Sequence, residues 1–266
     1  MHRLFMCKPT FFDVIHKNLN AHMTMKRVVD KQRANMQYWN LTRILTNIGA
    51  EIKFINSEPK LVDMVFAANG ALIDKVSNTA AISNFHAKPR VDESDFWKDF
   101  LIKHGLYVKK IYSHFEGQGD ALFSHNNKNL WMGYGFRTSY NAAEELRNIF
   151  HNSNVQTLKL INPKFYHLDT CFCILNNSNV MFYPGAFDDD SVSKIKQHFP
   201  DHIEVSLEDS EKFSCNAVII DQYIILNKAS NNLKTKLQNI GYMVIEINMS
   251  EFILSGGSVK CCVLHA

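Results

Sequence analysis

SGGSVKCCVLHA, residues 255–266, decides how this chain closes on itself. Its strand-like run, residues 258–264, has no apolar run downstream to pair with, so the β-prone segment 3–6 at the opposite end of the sequence is the expected partner. Between those ends, pairs of apolar, β-prone runs separated by polar turns recur, and each pair is followed by a segment of helical spacing. One pair covers residues 64–83 and a second residues 120–133. A third joins 169–175 to 180–183 across the turn 176–179, and a fourth joins 217–220 to 223–226 across Asp221 and Gln222. Starts roughly 45 to 55 residues apart leave room for a hairpin, a helix and a connecting strand. Helical spacing falls where this plan needs it. Residues 29–45 place Val29, Met36, Trp39 and Ile44 near one face, 141–150 is rich in helix formers, and 231–240 runs into Gly241, a good C-terminal stop. Two architectures fit this rhythm. Five such modules closing into a ring would explain strands at both ends, whereas a two-layer α/β sandwich of mixed strands would need no such pairing.

At 266 residues the chain is long enough to bury a sizeable core, in one large domain or two ordinary ones. With 46% hydrophobic and 21% charged residues and no low-complexity stretch, it reads as compact rather than disordered. The formal charge is +3 and the basic residues are scattered among acids, so neither nucleic acid nor an acidic membrane surface is an expected partner. No apolar run approaches bilayer length, and residues 1–9 lack the apolar centre of a signal peptide, which points to a cytoplasmic protein. The six cysteines, two of them adjacent and Cys171 alternating with Cys173, make neither a disulfide framework nor a CxxC zinc pair. Reduced thiols are expected, and the sequence leaves a homo-oligomer open.

A glycine pair, Gly256 and Gly257, precedes Cys261 and Cys262 and would let backbone and a small molecule come close to a thiol, although two buried cysteines can equally be packing. A cysteine nucleophile acts as the thiolate and needs a proton acceptor and donor beside it. His167 is the best placed of the twelve histidines, because it precedes a strand-like run and is followed at the second position by Asp169, which in a strand would point the same way. The plainer reading is a histidine bonded to backbone. Glu116 lies in FEGQGD, where Gly117 and Gly119 clear side chains from around a carboxylate, as at a pocket mouth or in a solvated turn. Asp63 and Asn69 bracket the apolar residues 64–68, and Asn20 sits in a loop-like segment; each is a surface residue or cap by default. Arg90 and Arg137 are either solvated or forks for a carboxylate.

Taken together, MCKPTFFDV at Met6, DMVFAAN at Asp63, FEGQGD at Phe115, YGFRTS at Tyr134, FYHLDTCFC at Phe165, YPGAFD at Tyr183, FSCNAV at Phe213 and GGSVKCC at Gly256 carry a resemblance that spans almost the whole chain. In number, order and spacing they resemble the guanidine-modifying enzymes: arginine deiminases, dimethylarginine dimethylaminohydrolases and amidinotransferases. The match looks closest to the arginine dihydrolase domains of cyanobacteria and their bacterial relatives. The resemblance implies a five-bladed αβ-propeller, or pentein, with pseudo-fivefold symmetry, formed by residues 1–266 as a single catalytic domain. Carried over position by position, it makes Cys261 the nucleophile, His167 the general acid and base, and Glu116 and Asp169 the acids that orient the guanidinium and the histidine. Arg90 and Arg137 match positions that grip a substrate carboxylate, and Asp63 one near its α-amine. Cys262 receives no role. No metal or other cofactor is implied, and the implied partner is a small guanidine.

Two positions narrow the substrate within that family. Dimethylarginine hydrolases commonly follow the histidine with Leu-Lys, whereas Leu168 and Asp169 stand here. A carboxylate takes two hydrogen bonds from an unmethylated guanidinium, which favours free arginine. Asn69 replaces the usual acid and can both donate and accept, as a neutral ureido group requires. Asn20 matches the asparagine of an INPWM-like segment in dihydrolases, with Ala21 and His22 in place of the Pro and Trp. The expected reaction therefore takes arginine through bound citrulline to ornithine, ammonia and carbon dioxide. A deiminase stopping at citrulline, a methylarginine hydrolase, and at a distance a noncatalytic ribosome-binding pentein are the alternatives.

Overall fold

The computed structural model describes residues 2–16, 19–23 and 28–266. Its strands form five three-stranded sheets, each built on one plan: an antiparallel hairpin, a helix, and a third strand parallel to the second. The second blade is Ala71–Asp74 and Thr79–Ile82, helix Glu93–Lys103, then Tyr107–Lys110. The third is Ala121–Phe123 and Asn129–Tyr134, helix Ala142–Ile149, then Asn154–Lys159. Phe172–Ile174, Val180–Phe182, helix Asp189–His198 and Ile203–Glu204 make the fourth. Val218–Ile220, Tyr223–Leu226, helix Asn231–Asn239 and Met243–Glu246 make the fifth. The first blade is assembled from both ends of the chain. Leu264–His265 pairs antiparallel with His2–Cys7, placing Leu4 opposite His265 and Phe5 opposite Leu264, and helix Lys31–Asn47 leads to Ala50–Ile55, parallel to His2–Cys7.

The core shows that these blades close into a ring. Five separate apolar clusters are present among the described residues, and each joins two neighbouring blades. Leu4 packs with Ile220 and Ile225, Phe5 with Ala71 and Ile73, Leu72 with Ala121 and Leu130, Trp131 with Phe172, and Cys173 with Ala217 and Ile224. Five blades sharing five interfaces leave none with an open face, which is the five-bladed αβ-propeller with its pseudo-fivefold axis and not a two-layer sandwich.

Several expected strands are shorter than their apolar runs. Residues 64–68 belong, apart from the linking Phe66, to two 3-10 turns, Val62–Val65 and Ala67–Gly70, and the hairpin begins only at Ala71. Leu168–Thr170 and Lys260–Cys262 are likewise 3-10 turns preceding their strands. These runs are apolar because they are buried where the blades converge, not because they pair in a sheet. In helix Lys31–Asn47 the buried face is Ala34, Tyr38, Leu41 and Leu45, while Met36 and Trp39 are 66% and 44% exposed. The expected face was counted from Val29, which lies before the N-cap Asp30 and outside the helical register. Helices Glu93–Lys103 and Asp189–His198 complete the two modules for which the rhythm predicts a helix without fixing its bounds.

One consequence of the repeat positions the site. In every blade the residues just before the inner hairpin strand form a tight turn: Ala67–Gly70, Gly117–Asp120, Leu168–Thr170, the turn ending near Asn216, and Lys260–Cys262. Five turns from five blades therefore meet.

Candidate active site

Close approach of these turns demands particular residues. Gly117 has φ +56, and a Cβ there would lie 2.7 Å from the carbonyl oxygen of Ala68, so only glycine lets Gly117–Asp120 nest against Ala67–Gly70. Gly256 has φ +83, and its Cβ would meet Asn20 Oδ1 and the Tyr166 hydroxyl, each at 2.9 Å. Gly256 is thus explained by the approach of Asn20 and Tyr166 to the cysteine-bearing turn, and Gly257 by the Phe66 ring, which would meet its Cβ.

Cys261 is held on three sides. Its thiol donates to Asp169 Oδ2 at 3.4 Å, Asn216 Nδ2 donates to its sulfur at 3.1 Å, and its backbone N–H donates to Asn216 Oδ1 at 3.2 Å. Burial, and then the Asp169 carboxylate, push the thiol well above its ordinary range, so it rests protonated. Burial also raises Asp169, to about 6, against the pull of His167 and Lys260. Asp169 Oδ1 is buried with no partner among the described residues. An acceptor left so costs about 1–3 kcal/mol, and an incoming N–H donor would remove that cost.

His167 lies between two carboxylates. Its Nδ1 is 3.0 Å from Asp120 Oδ1 and its Nε2 is 3.3 Å from Glu116 Oε2. Burial alone would lower its pKa, but Asp120 and then Glu116 outweigh burial and hold it at about 9, an imidazolium at neutral pH. Glu116 is held well below the usual carboxylate range because Arg137 and His167 overcome its burial. Its two oxygens are fully used: Oε1 accepts from the backbone N–H groups of His86 and Ala87, and Oε2 from Arg137 Nη1 at 3.1 Å.

Asn69 is fixed from behind. Arg90 Nη1 donates to its Oδ1 at 2.9 Å, so the amide nitrogen faces the site, 3.3 Å from the Glu116 carbonyl and 3.4 Å from His167 Nε2. Arg90, expected to grip a substrate carboxylate, lines the same cavity as Asn69. Its fork is spent on Glu93, at 2.8 Å from Nε and 2.8 Å from Nη2, and Nη2 also donates to the Asp63 and Phe66 carbonyls. Among the described residues Arg137 keeps donors free: besides Glu116 it reaches only the Leu19 carbonyl, at 2.7 Å, and its guanidinium lies over the Tyr166 ring at 4.8 Å. Asp63 accepts from Ser255 Oγ at 2.9 Å, and Asn20 donates to the Ser255 carbonyl at 2.9 Å while its Oδ1 accepts from the N–H groups of His22 and Met23.

Asn20, Asp63, Asn69, Arg137, His167 and Cys261 share one narrow cavity, which Arg90 borders. Glu116 stands behind His167. At Asp169 the expected strand is a 3-10 turn instead, so the side chains of His167 and Asp169 diverge, and Asp169 meets the thiol while Asp120 holds the imidazole. Cys262 is packed in the core between the first and fifth blades. Asp120 and Asn216 were within quoted motifs yet received no role from sequence. The signal that could have found them is positional, since both lie within two residues of an inner strand, as Asn69 does.

Residues 13–266 match the family model described as N,N dimethylarginine dimethylhydrolase, eukaryotic. The chain is 33% identical to the bifunctional arginine dihydrolase/ornithine cyclodeaminase ArgZ of Synechocystis sp., over 99% of this chain and 37% of that protein. It is 32% identical to the N(G),N(G)-dimethylarginine dimethylaminohydrolase of Mycobacterium tuberculosis, over 99% of this chain and 85% of that one. The crystal structure of the N-terminal domain of ArgZ bound to substrate is similar with a TM-score of 0.95 at 33% identity, covering 100% of this chain and 98% of that chain. The chain therefore spans little more than a third of the length of its cyanobacterial relative.

Proposed function

The chain belongs to the N,N-dimethylarginine dimethylhydrolase family, and on that premise we propose that residues 1–266 act as one catalytic domain, a cysteine-dependent hydrolase of the guanidinium group of free L-arginine. The guanidinium enters beside the Cys261 thiol and donates to Asp169, whose partnerless oxygen it satisfies. Its positive charge lowers the cost of the thiolate, so the thiol proton leaves to solvent as the cation binds and the thiolate attacks the central carbon. His167, already an imidazolium, gives its Nε2 proton to the departing ammonia. Asn69 then has a partner. Its amide nitrogen can donate to Nε2 only once that proton has left, so it stabilises the neutral imidazole that next takes a proton from water. Hydrolysis of the thiouronium restores Cys261 and leaves citrulline bound. Arg137 is the free fork for the substrate carboxylate, with Asp63 for the α-amine.

A second round at the ureido carbon consumes another water and gives ornithine, a second ammonia and carbon dioxide. The observation that carries this step is Asn69: an amide locked by Arg90 with its nitrogen facing the site suits a neutral ureido oxygen, where a carboxylate would repel it. A relative that is a dihydrolase and a solved structure of its substrate-bound domain support the same reading. The second reading is a dimethylarginine hydrolase, favoured by the description of the matching family and by the mycobacterial relative. Asp169 weighs against it, because dimethylation removes the donors from one terminal nitrogen and leaves a carboxylate facing it poorly paired. The covalent step is tested by acid-quenching turnover and mass analysis of the peptide that bears Cys261. An alkylthiouronium adduct that retains the ornithine part of arginine, absent in Cys261→Ser, is expected; turnover in Cys261→Ser would contradict it.

A further inference from the structure

A second cavity, of about 330 Å³, shares no lining residue with the first. Asp169 borders it, and that same side chain accepts from the thiol that lines the guanidine cavity, so one layer of side chains stands between the two. Its walls are apolar residues of the inner strands, among them Leu72, Ile73, Phe172 and Ile174. Its basic groups outnumber its acids. Lys75, Lys260, His2, His125 and His265 line it, against the single carboxylate of Asp169. A concave, largely apolar space of this size with a few convergent polar groups is what small-molecule sites require.

The basic groups have donors to spare. Lys260, buried beside the nucleophile, gives two of its three N–H bonds to Gln118 Oε1 and the Val263 carbonyl, each at 3.0 Å. Gln118 is itself tied at both ends of its amide to the backbone of His265, which fixes this floor. Lys75 has no ion pair among the described residues, and His2 is the one histidine of the group paired with an acid, Asp221, at 2.9 Å. The cations also feel one another. Burial first, and then the positive field of Lys260 and Lys75, keeps His265 well below its ordinary value and so neutral, while burial lowers Lys260 to about 8 although Asp169 pulls the other way. A negative charge settling among them would offset that field.

We propose that this second cavity binds a small oxyanion, carboxylate or phosphate, between Lys75 at its mouth and Lys260 at its floor, independently of the guanidine site. Calorimetric titration of the full chain as Cys261→Ser, with inorganic phosphate, bicarbonate and acetate in separate arms, tests it. At least one anion is expected to bind with one-to-one stoichiometry, and the arm that binds assigns phosphate or carboxylate chemistry. Saturating arginine should change that affinity by less than about twofold, Lys75→Glu should weaken it at least tenfold, and Lys75→Arg should restore it. Lys75 is exposed, and an unchanged melting temperature would separate lost binding from lost fold. No binding in any arm, an affinity indifferent to Lys75→Glu, or displacement by arginine would overturn the proposal. The arms without arginine do not depend on which guanidine the other cavity accepts.

Discussion

Asp120 is the residue on which the proton chemistry turns. Its Oδ1 takes His167 Nδ1 at 3.0 Å and the Leu168 backbone N–H at 3.1 Å, and its other oxygen accepts from Thr138 Oγ1 at 2.7 Å. A carboxylate held this firmly keeps the imidazole charged, and turnover that needs the charged acid should fall as pH rises through about 9. Protonation of Asp169 sets the acid limb near 6. The same shift links to stability. A histidine raised above its unfolded value of about 6.5 contributes fully below that pH and loses the contribution as pH climbs through about 9. Asp120→Asn should therefore move the alkaline limb of kcat to lower pH and reduce kcat by about 10²–10⁴-fold, measured as a pH–rate profile. An unmoved limb would assign the imidazole's charge to Glu116 instead. Nothing in FEGQGD distinguishes Asp120 from Glu116 to the eye, because which carboxylate faces Nδ1 depends on how a one-turn helix from one blade meets a 3-10 turn from the next.

The tight turn before each inner strand is the element that makes a propeller into a site. Gly117 shows how narrowly it is built. Its positive φ and the approach of the Ala68 carbonyl mean that Gly117→Ala adds both backbone strain and a 2.7 Å contact. Such a substitution should cost at least about 1–3 kcal/mol, read as a lowered midpoint in urea unfolding, and reduce turnover further by displacing Glu116 and Asp120. Equal stability would mean that the turn yields and that the glycine serves another purpose. Elements were also where sequence reading was least secure. Residues 64–68, 169–171 and 260–262 are as apolar as strands, and burial at a convergence of blades leaves the same trace in sequence as burial in a sheet. Hairpins with polar turns on both sides, such as 217–226, were legible because their alternation and their turn residues agree. The bounds of helix Asp189–His198 were not, since the helix's buried face rests chiefly on Ile195.

At the scale of the whole molecule, closure depends on the pairing of Leu264–His265 with His2–Cys7, which carries Cys261 to the meeting point of the blades. The expectation came from two ends that each lacked a partner, and it held because a ring has no other way to finish. Leu4 is fully buried between the first and fifth blades, so Leu4→Ala should cost about 2–5 kcal/mol and lower the melting temperature in one cooperative step. A local loss confined to the first blade would show that the ring does not unfold as a unit. The catalytic reading rests on residues from all five blades acting on one guanidine twice. Its most direct test follows ammonia, citrulline and ornithine together in purified protein supplied with arginine, beside Cys261→Ala and Asn69→Asp. The account predicts two ammonia per ornithine, no turnover in the first variant, and citrulline accumulating in the second. One ammonia per citrulline in the unaltered protein, or turnover only of methylated arginine with release of a methylamine, would contradict it.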